Sequence, residues 1–328
     1  MKKIKKLPLI LTILSLVSFI TQVKADVKVV TSIKPLHSLA SYLMDGIGKP
    51  GLIVDGYASP HSFSMKPSHA KMLQNADIVF WVGEGMENFL KKPLSSIAKK
   101  AEKIELMEVK GLNILKFRER NIFDEHNHDD HDDHAKKEDD HDDHDHDDHA
   151  KKEDDHEGHA HGEYDSHIWL DPMNAKVILN EMAEHLIEND AENASKYKNN
   201  LKKALKEIDT LTIQVMTELN KSVSSIVFHD AYQYFEQRFN VNILGAFTVN
   251  PDVMSGAEQL AKIREIIEHE NVACVFSEPQ FNPDIINAVA KDMKIKTGVL
   301  DPLGATLDPG KNLYFDLIKN MSLSFKDC

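Results

Sequence analysis

Long hydrophobic runs are almost absent from this 328-residue chain. The single one, residues 7–20, follows Lys2, Lys3, Lys5 and Lys6 and closes on Val23-Lys24-Ala25. It is too short for a confident membrane span and has the charge, apolar core and small-residue end of a secretory leader, with cleavage expected near Ala25-Asp26. An uncleaved anchor is the alternative. No cysteine follows the apolar run, so there is no acceptor for a lipid, and the reading is of a chain held in a Gram-negative periplasm without a membrane anchor. Cysteine itself is scarce, with only Cys274 and Cys328. An even pair in an exported chain reads as one disulfide tying the C-terminal residue back to a strand. Two thiols in a zinc site is the alternative, although the spacing matches no Cys-x-x-Cys pattern. There is no Gly-rich Lys-Ser/Thr nucleotide loop, so an energy source does not reside in this chain. No His-Glu-x-x-His is present to support a zinc hydrolase. Nor is there a cationic excess to suggest nucleic acid.

Net charge is −14, but it is unevenly spread. Residues 1–25 carry five lysines, and residues 124–165 hold twenty acids against four lysines, which leaves the rest of the chain near neutral at about −3. An acidic chain of this kind suits cations. The acidity is concentrated in a stretch, His126 to His161, that also holds eleven of the eighteen histidines. There His-Asp-Asp-His-Ala-Lys-Lys-Glu-Asp-Asp runs from His131 and recurs from His146. So little of it is apolar that burial cannot offset the entropy of ordering, and disorder is expected over about 124–165. Imidazole is the commonest metal ligand and is mostly neutral at pH 7, so the composition reads as metal binding. A solvated acidic linker is the plainer alternative. The tract identifies neither the metal nor its purpose.

Outside it the pattern is βα. Strands are expected at 27–31, 51–54, 77–83 and 101–106, with helices at 35–44, about 67–76 and 86–99. The apolar run 77–83 ends in glycine, as a buried parallel strand does. After the tract, 167–170 reads as a short extended run that Asp171-Pro172 stops, opening a helix over 174–188. Tyr197, Leu201, Ala204, Leu205, Ile208, Leu211, Val215 and Leu219 then recur at spacings of three and four. That is one amphipathic helix from 193 to 220, about 40 Å long at 1.5 Å per residue. It reads as a strut crossing two lobes, with a coiled-coil dimer arm as the alternative. The βα rhythm resumes with strands at 225–228, 243–246, 272–276 and 296–300 and helices at 232–239, 255–270 and 283–293. The expected fold class is α/β, two similar lobes with mainly parallel sheets. The divisions are a leader at 1–25, a first lobe at 26–190, a linker helix at 191–222 and a second lobe at 223–328.

Ligand sites in open α/β sheets form beyond the carboxyl ends of strands. His61 follows the second strand and its loop, His167 opens the segment after the tract, His229 follows 226–228 directly, and Asp301 follows 298–300 directly. Three imidazoles and one carboxylate from separate loops, two from each lobe, suit tetrahedral zinc in an interlobe cleft. Singly each is a weak signal: a loop histidine is more often simply hydrogen-bonded, and Asp301 before Pro302 could just begin a turn. His37, His69, His185 and His269 fall within helical stretches and are assigned to surface or packing. Asp171 and Asp230 are candidate acceptors for ligand N–H groups, with a helix cap as the alternative for Asp171. Trp81 and Trp169 read as core.

Several segments, in order, carry a resemblance: Thr31-Ser32-Ile33-Lys34-Pro35-Leu36, Pro60-His61-Ser62-Phe63-Ser64-Met65-Lys66-Pro67-Ser68, Leu73-Gln74-Asn75-Ala76-Asp77, His167-Ile168-Trp169-Leu170-Asp171-Pro172 and Phe228-His229-Asp230-Ala231-Tyr232. Thr248-Val249-Asn250-Pro251, Ser277-Glu278-Pro279-Gln280-Phe281 and Leu300-Asp301-Pro302-Leu303-Gly304 continue it. Over nearly all of 26–328 the chain resembles the periplasmic zinc-binding proteins of ABC importers, with the histidine-rich insertion at the family's usual place. The resemblance implies two α/β lobes joined by one long helix, Zn²⁺ between them as the transported ligand, and a Cys274–Cys328 disulfide. It implies His61, His167 and His229 as ligands, with Asp301 at a carboxylate position where metal contact varies. Manganese-binding relatives have glutamate at the position of His229, and imidazole favours zinc. Some zinc members carry a glutamate just before the first histidine, where this chain has Pro60, which leaves the fourth ligand open between Asp301 and water. The partners implied are a membrane permease and a separate ATPase, with the chain itself a non-enzymatic monomer and the tract an accessory low-affinity zinc collector or sensor. A zinc buffer or surface adhesin, and a His₃ zinc hydrolase, are the competing readings.

Overall fold

The computed structural model describes residues 26–118, 163–219, 224–248, 251 and 256–328. The expected leader with its cleavage point and nearly all of the histidine-rich tract lie outside the described residues.

The first sheet is centred on two short, mostly apolar segments rich in β-branched residues. β1 (Val29–Thr31) is buried throughout, and so is β3 (Ile78–Trp81). With β2 (Gly51–Leu52) and β4 (Glu102–Glu105) they form a parallel sheet of order β2-β1-β3-β4. The second sheet comprises β5 (Ser224–His229), β6 (Asn242–Thr248), β7 (Cys274–Ser277) and β8 (Lys296–Val299), again all parallel, in the order β6-β5-β7-β8. The second strand lies outside the first in both, so the two lobes share one topology. Continuous burial of 226–229 and 243–248 is what a parallel sheet covered on both faces requires.

Helices α1 (Lys34–Leu43), α2 (Pro67–Gln74) and α3 (Lys91–Ser96) belong to the first half. Proline stands in the first turn of α1 and α2, where its missing N–H goes unmissed. The expected helix over 86–99 is shorter, a 3₁₀ turn at Asn88–Leu90 followed by α3. Pro93 has no N–H to bond back to residue 89, so it is accommodated only in a first turn, where α3 places it. The expected extended run at 167–170 is also corrected: Ile168–Leu170 is a 3₁₀ turn, closed by Leu170 N–H on the His167 carbonyl. α4 (Pro172–Asn189) starts on Asp171, whose carboxylate accepts from Met173 N–H at 2.8 Å, so Asp171 is the cap.

α5 (Ala194–Glu218) is the long helix, 25 residues and so about 37 Å. Its apolar stripe of Tyr197, Ala204, Ile208, Leu211 and Val215 is buried within the chain, against α1, α4 and α9 (Leu313–Asp327). The stripe has therefore no face to offer a coiled-coil partner. α6 (Gln233–Phe239), α7 (Ala257–His269) and α8 (Asp284–Met293) complete the second half. α9 was not anticipated, although Leu313, Leu317, Ile318, Met321 and Phe325 carry its 3.6-residue period.

One apolar core runs through both halves. Tyr232, Tyr234, Phe235, Leu313 and Tyr314 join the cluster that holds β1, β3, α1 and α4, while Ile226, Phe228, Phe247, Ile263 and Val275 fill a second cluster behind the second sheet. Polar ties cross between the halves. Arg238 clamps Asp171 with two bonds of 2.7 Å, and Arg118 pairs with Asp230 and Glu236. Trp169 Nε1 donates to the Pro302 carbonyl at 2.8 Å. Trp81 and Trp169 are core residues, 5% and 0% exposed. Cys274, first residue of β7, is disulfide-bonded to Cys328 at the end of α9.

Candidate metal centre

The cleft lies over the carboxyl ends of both sheets, where open α/β folds place ligands. His229 is the last residue of β5, and β7 is its neighbour in the sheet, so Glu278, one residue beyond β7, stands beside it. Glu278 Oε1 lies 2.6 Å from His229 Nδ1, both groups buried. His167 sits at the head of the 3₁₀ turn. Asp165 Oδ1 accepts from its backbone N–H at 2.9 Å and lies 2.7 Å from its Nδ1. His61 comes from the loop between β2 and α2, where its N–H reaches Ser59 Oγ at 3.3 Å.

With a carboxylate accepting from Nδ1, the lone pair of His167 and of His229 resides on Nε2. These two Nε2 atoms face one another at 3.5 Å. Two nitrogens bound at about 2.0–2.1 Å to one tetrahedral ion lie roughly 3.4 Å apart. The three imidazoles form a nearly regular triangle, with ring centroids 5.4, 5.7 and 6.0 Å apart. Their ligand atoms lie within 4.8 Å of one another, so His61, His167 and His229 could hold a single ion. The small gap between them is lined by Pro60, Met86, Phe281, Pro302 and Leu303. A gap of that size suits a single ion.

Asp301, the candidate fourth donor beside water, is not among the ligand atoms grouped here. Its Oδ1 accepts from Ala305 N–H at 2.8 Å and Gln280 Nε2 at 3.2 Å, and its Oδ2 from the backbone and hydroxyl of Thr306 at 2.9 and 2.8 Å. It organises the turn behind Pro302 and Leu303. The ring N–H acceptors are likewise corrected: Asp230 and Asp171 are taken by Arg118 and Arg238, and Asp165 and Glu278 fill that role. Glu278 stood in a motif without a role attached, and Asp165 precedes His167 by two; pairing each with a ring nitrogen needs strand adjacency that spacing does not give.

Burial sets the electrostatics. It pushes the Asp165 carboxyl up to about 7. For His229 burial alone would lower the imidazole, but the Glu278 carboxylate outweighs it and the net shift is upward. A second group, Glu102, His185 and Glu188, could also hold an ion by proximity. There His185 Nδ1 is 2.9 Å from Glu102 and Nε2 3.2 Å from Glu181, so both nitrogens already face carboxylates. His69 closes the first turn of α2, accepting at Nδ1 from Lys66 N–H at 3.1 Å, and His37 and His269 lie in α1 and α7.

A three-imidazole group in a cleft between two parallel α/β lobes has the architecture of a metal-binding solute-binding protein. A family model described as zinc-uptake complex component A, periplasmic (ZnuA) matches residues 29–328, and the chain belongs to that family. A high-affinity zinc uptake system protein ZnuA of Brucella abortus is 47% identical over 303 residues, 92% of this chain and 91% of that one. Among solved structures, a ZnuA deletion mutant with zinc bound superposes with a TM-score of 0.71 at 20% identity, covering 92% of this chain and 97% of that one. A mutant of the laminin-binding adhesin Lmb from Streptococcus agalactiae has the same fold, with a TM-score of 0.70 at 22% identity over 92% of this chain and 98% of that one.

Proposed function

We propose that the chain captures Zn²⁺ at His61, His167 and His229 in the periplasm and delivers it to an ABC-type import permease driven by a separate ATPase. The observation that carries this reading is the convergence of three imidazoles on one ion-sized space, two of them with Nδ1 held by a buried carboxylate. All-imidazole ligation suits zinc over manganese, which prefers oxygen donors. The carboxylates fix the ring orientation and raise ligand basicity, so the site is organised before the ion arrives. A fourth, oxygen donor completes the tetrahedron: a water, or Asp301 released from its turn.

The reading assigns no catalysis, in keeping with relatives that are zinc-uptake proteins. Burial of the α5 stripe within the chain supports a monomer, and the mature protein begins near Asp26. The histidine-rich tract serves as an accessory zinc collector or sensor of lower affinity, a role its imidazole-rich composition supports. Growth of cells at limiting zinc tests transport. Deleting the gene is expected to abolish growth there, and a copy with His229→Ala to leave it abolished. Rescue by that copy would contradict capture at this site.

A further inference from the structure

Lys34 is buried at the first position of α1, a helix with no acidic residue in its first turn. A cation there opposes the helix dipole, and burying an ammonium costs free energy unless its donors are satisfied. Its partners lie elsewhere. Lys34 Nζ donates to the carbonyls of Gly304, Ala305 and Leu307 at 3.3, 3.0 and 2.9 Å, three acceptors for three N–H groups. Asp55 Oδ1 stands 3.6 Å away.

These partners belong to two different walls of the metal pocket. The turn 301–307 supplies Pro302 and Leu303, and the loop after β2 that contains Asp55 supplies Ser59, Pro60 and His61. The two walls are far apart in sequence and come from different halves of the chain; Lys34 hydrogen-bonds one and forms a longer ion pair with the largely exposed Asp55 of the other. Satisfying the buried ammonium explains why it finds carbonyls, but the carbonyls it finds are those of a pocket wall. We infer that Lys34 is a positioning residue for the metal site: its ammonium pins the 301–307 turn and couples it to the loop bearing His61, and so controls how fast the bound ion escapes. This rests on the proposal that the three histidines hold zinc.

The test uses the mature chain with Lys34→Met, which keeps the aliphatic stem without donors, and Lys34→Arg, which keeps the charge on a planar fork. Hydrogen exchange is measured on the metal-free proteins at Ala305, Thr306 and Leu307, whose amides are all hydrogen-bonded. Zinc release is followed by stopped flow into a chromophoric chelator. For Lys34→Met, exchange at those amides should quicken by about tenfold or more while α5 amides change little, and zinc release should quicken by about tenfold. Lys34→Arg should fall between it and the wild type, and decides alone if the methionine variant does not fold. Unchanged exchange in a folded variant would overturn the inference. So would faster exchange with unchanged release, which would leave Lys34 a purely structural residue. If the wild type binds no zinc, the zinc reading and the control of release fall together, while the exchange result still decides whether Lys34 pins the turn.

Discussion

Glu278 Oε1 lies 2.6 Å from Nδ1 of His229, a contact made because β5 and β7 are neighbours in a parallel sheet. The carboxylate fixes the tautomer that turns Nε2 to the cleft, and its charge makes that nitrogen a better donor to a cation. Glu278→Gln keeps an acceptor but removes the charge. It is expected to lower zinc affinity by about 10–100-fold, measured by chelator competition, with the circular-dichroism spectrum unchanged. Asp165→Asn should behave alike through His167.

Arg238 reaches from α6 to Asp171, the cap of α4, across the junction between the halves. Asp171 is 2% exposed, so removing its partner leaves a buried charge uncompensated. Arg238→Met is expected to destabilise the protein by about 2 kcal/mol or more in urea unfolding, a figure below the range for fully buried pairs because the arginine is partly solvated. Zinc stoichiometry should not change. A loss of under about 0.5 kcal/mol would mean that the pair is no stronger than a surface one.

Glu87 is fully buried beneath the cleft loops, and its carboxyl is pushed up to about 7 by burial, which outweighs hydrogen bonds from Ser32, Gly83 and Val82. A carboxyl raised in the folded state binds more protons folded than unfolded. Its contribution to stability is therefore complete below the usual carboxylate value near 4.5 and is lost as pH rises toward about 7. Glu87→Gln mimics the neutral form and should not show that loss. Thermal unfolding of both metal-free proteins from pH 4 to 8 is expected to show the variant gaining on the wild type across that window. Parallel profiles would contradict the assignment.

The fold was legible in the sequence because its elements are simple: β-branched runs such as 29–31 and 226–228, and the stripe of α5 whose spacing fixed its length to within a few residues. The cleft histidines were legible too, since each directly follows a strand or loop at the edge where such folds bind ligands. The carboxylates behind them were not. Glu278 meets His229 through lateral strand order, and an aspartate such as Asp230 beside a ligand in sequence turns instead to Arg118. Asp301 was placed at the cleft, but its lone pairs are spent on the turn 304–306 it supports. The 3₁₀ turn at Ile168–Leu170 reads as extended in a four-residue apolar run because a segment so short carries no period to decide between them.

The most direct test of the account is calorimetric titration of Zn²⁺ and Mn²⁺ into the mature chain lacking 126–161, beside the same protein carrying His229→Ala. The account predicts one tight zinc site, far weaker binding of manganese, and a loss of zinc affinity on the order of a hundredfold or more in the variant. A folded protein with no tight site, or one that His229→Ala leaves intact, would contradict it and move metal capture to the deleted tract.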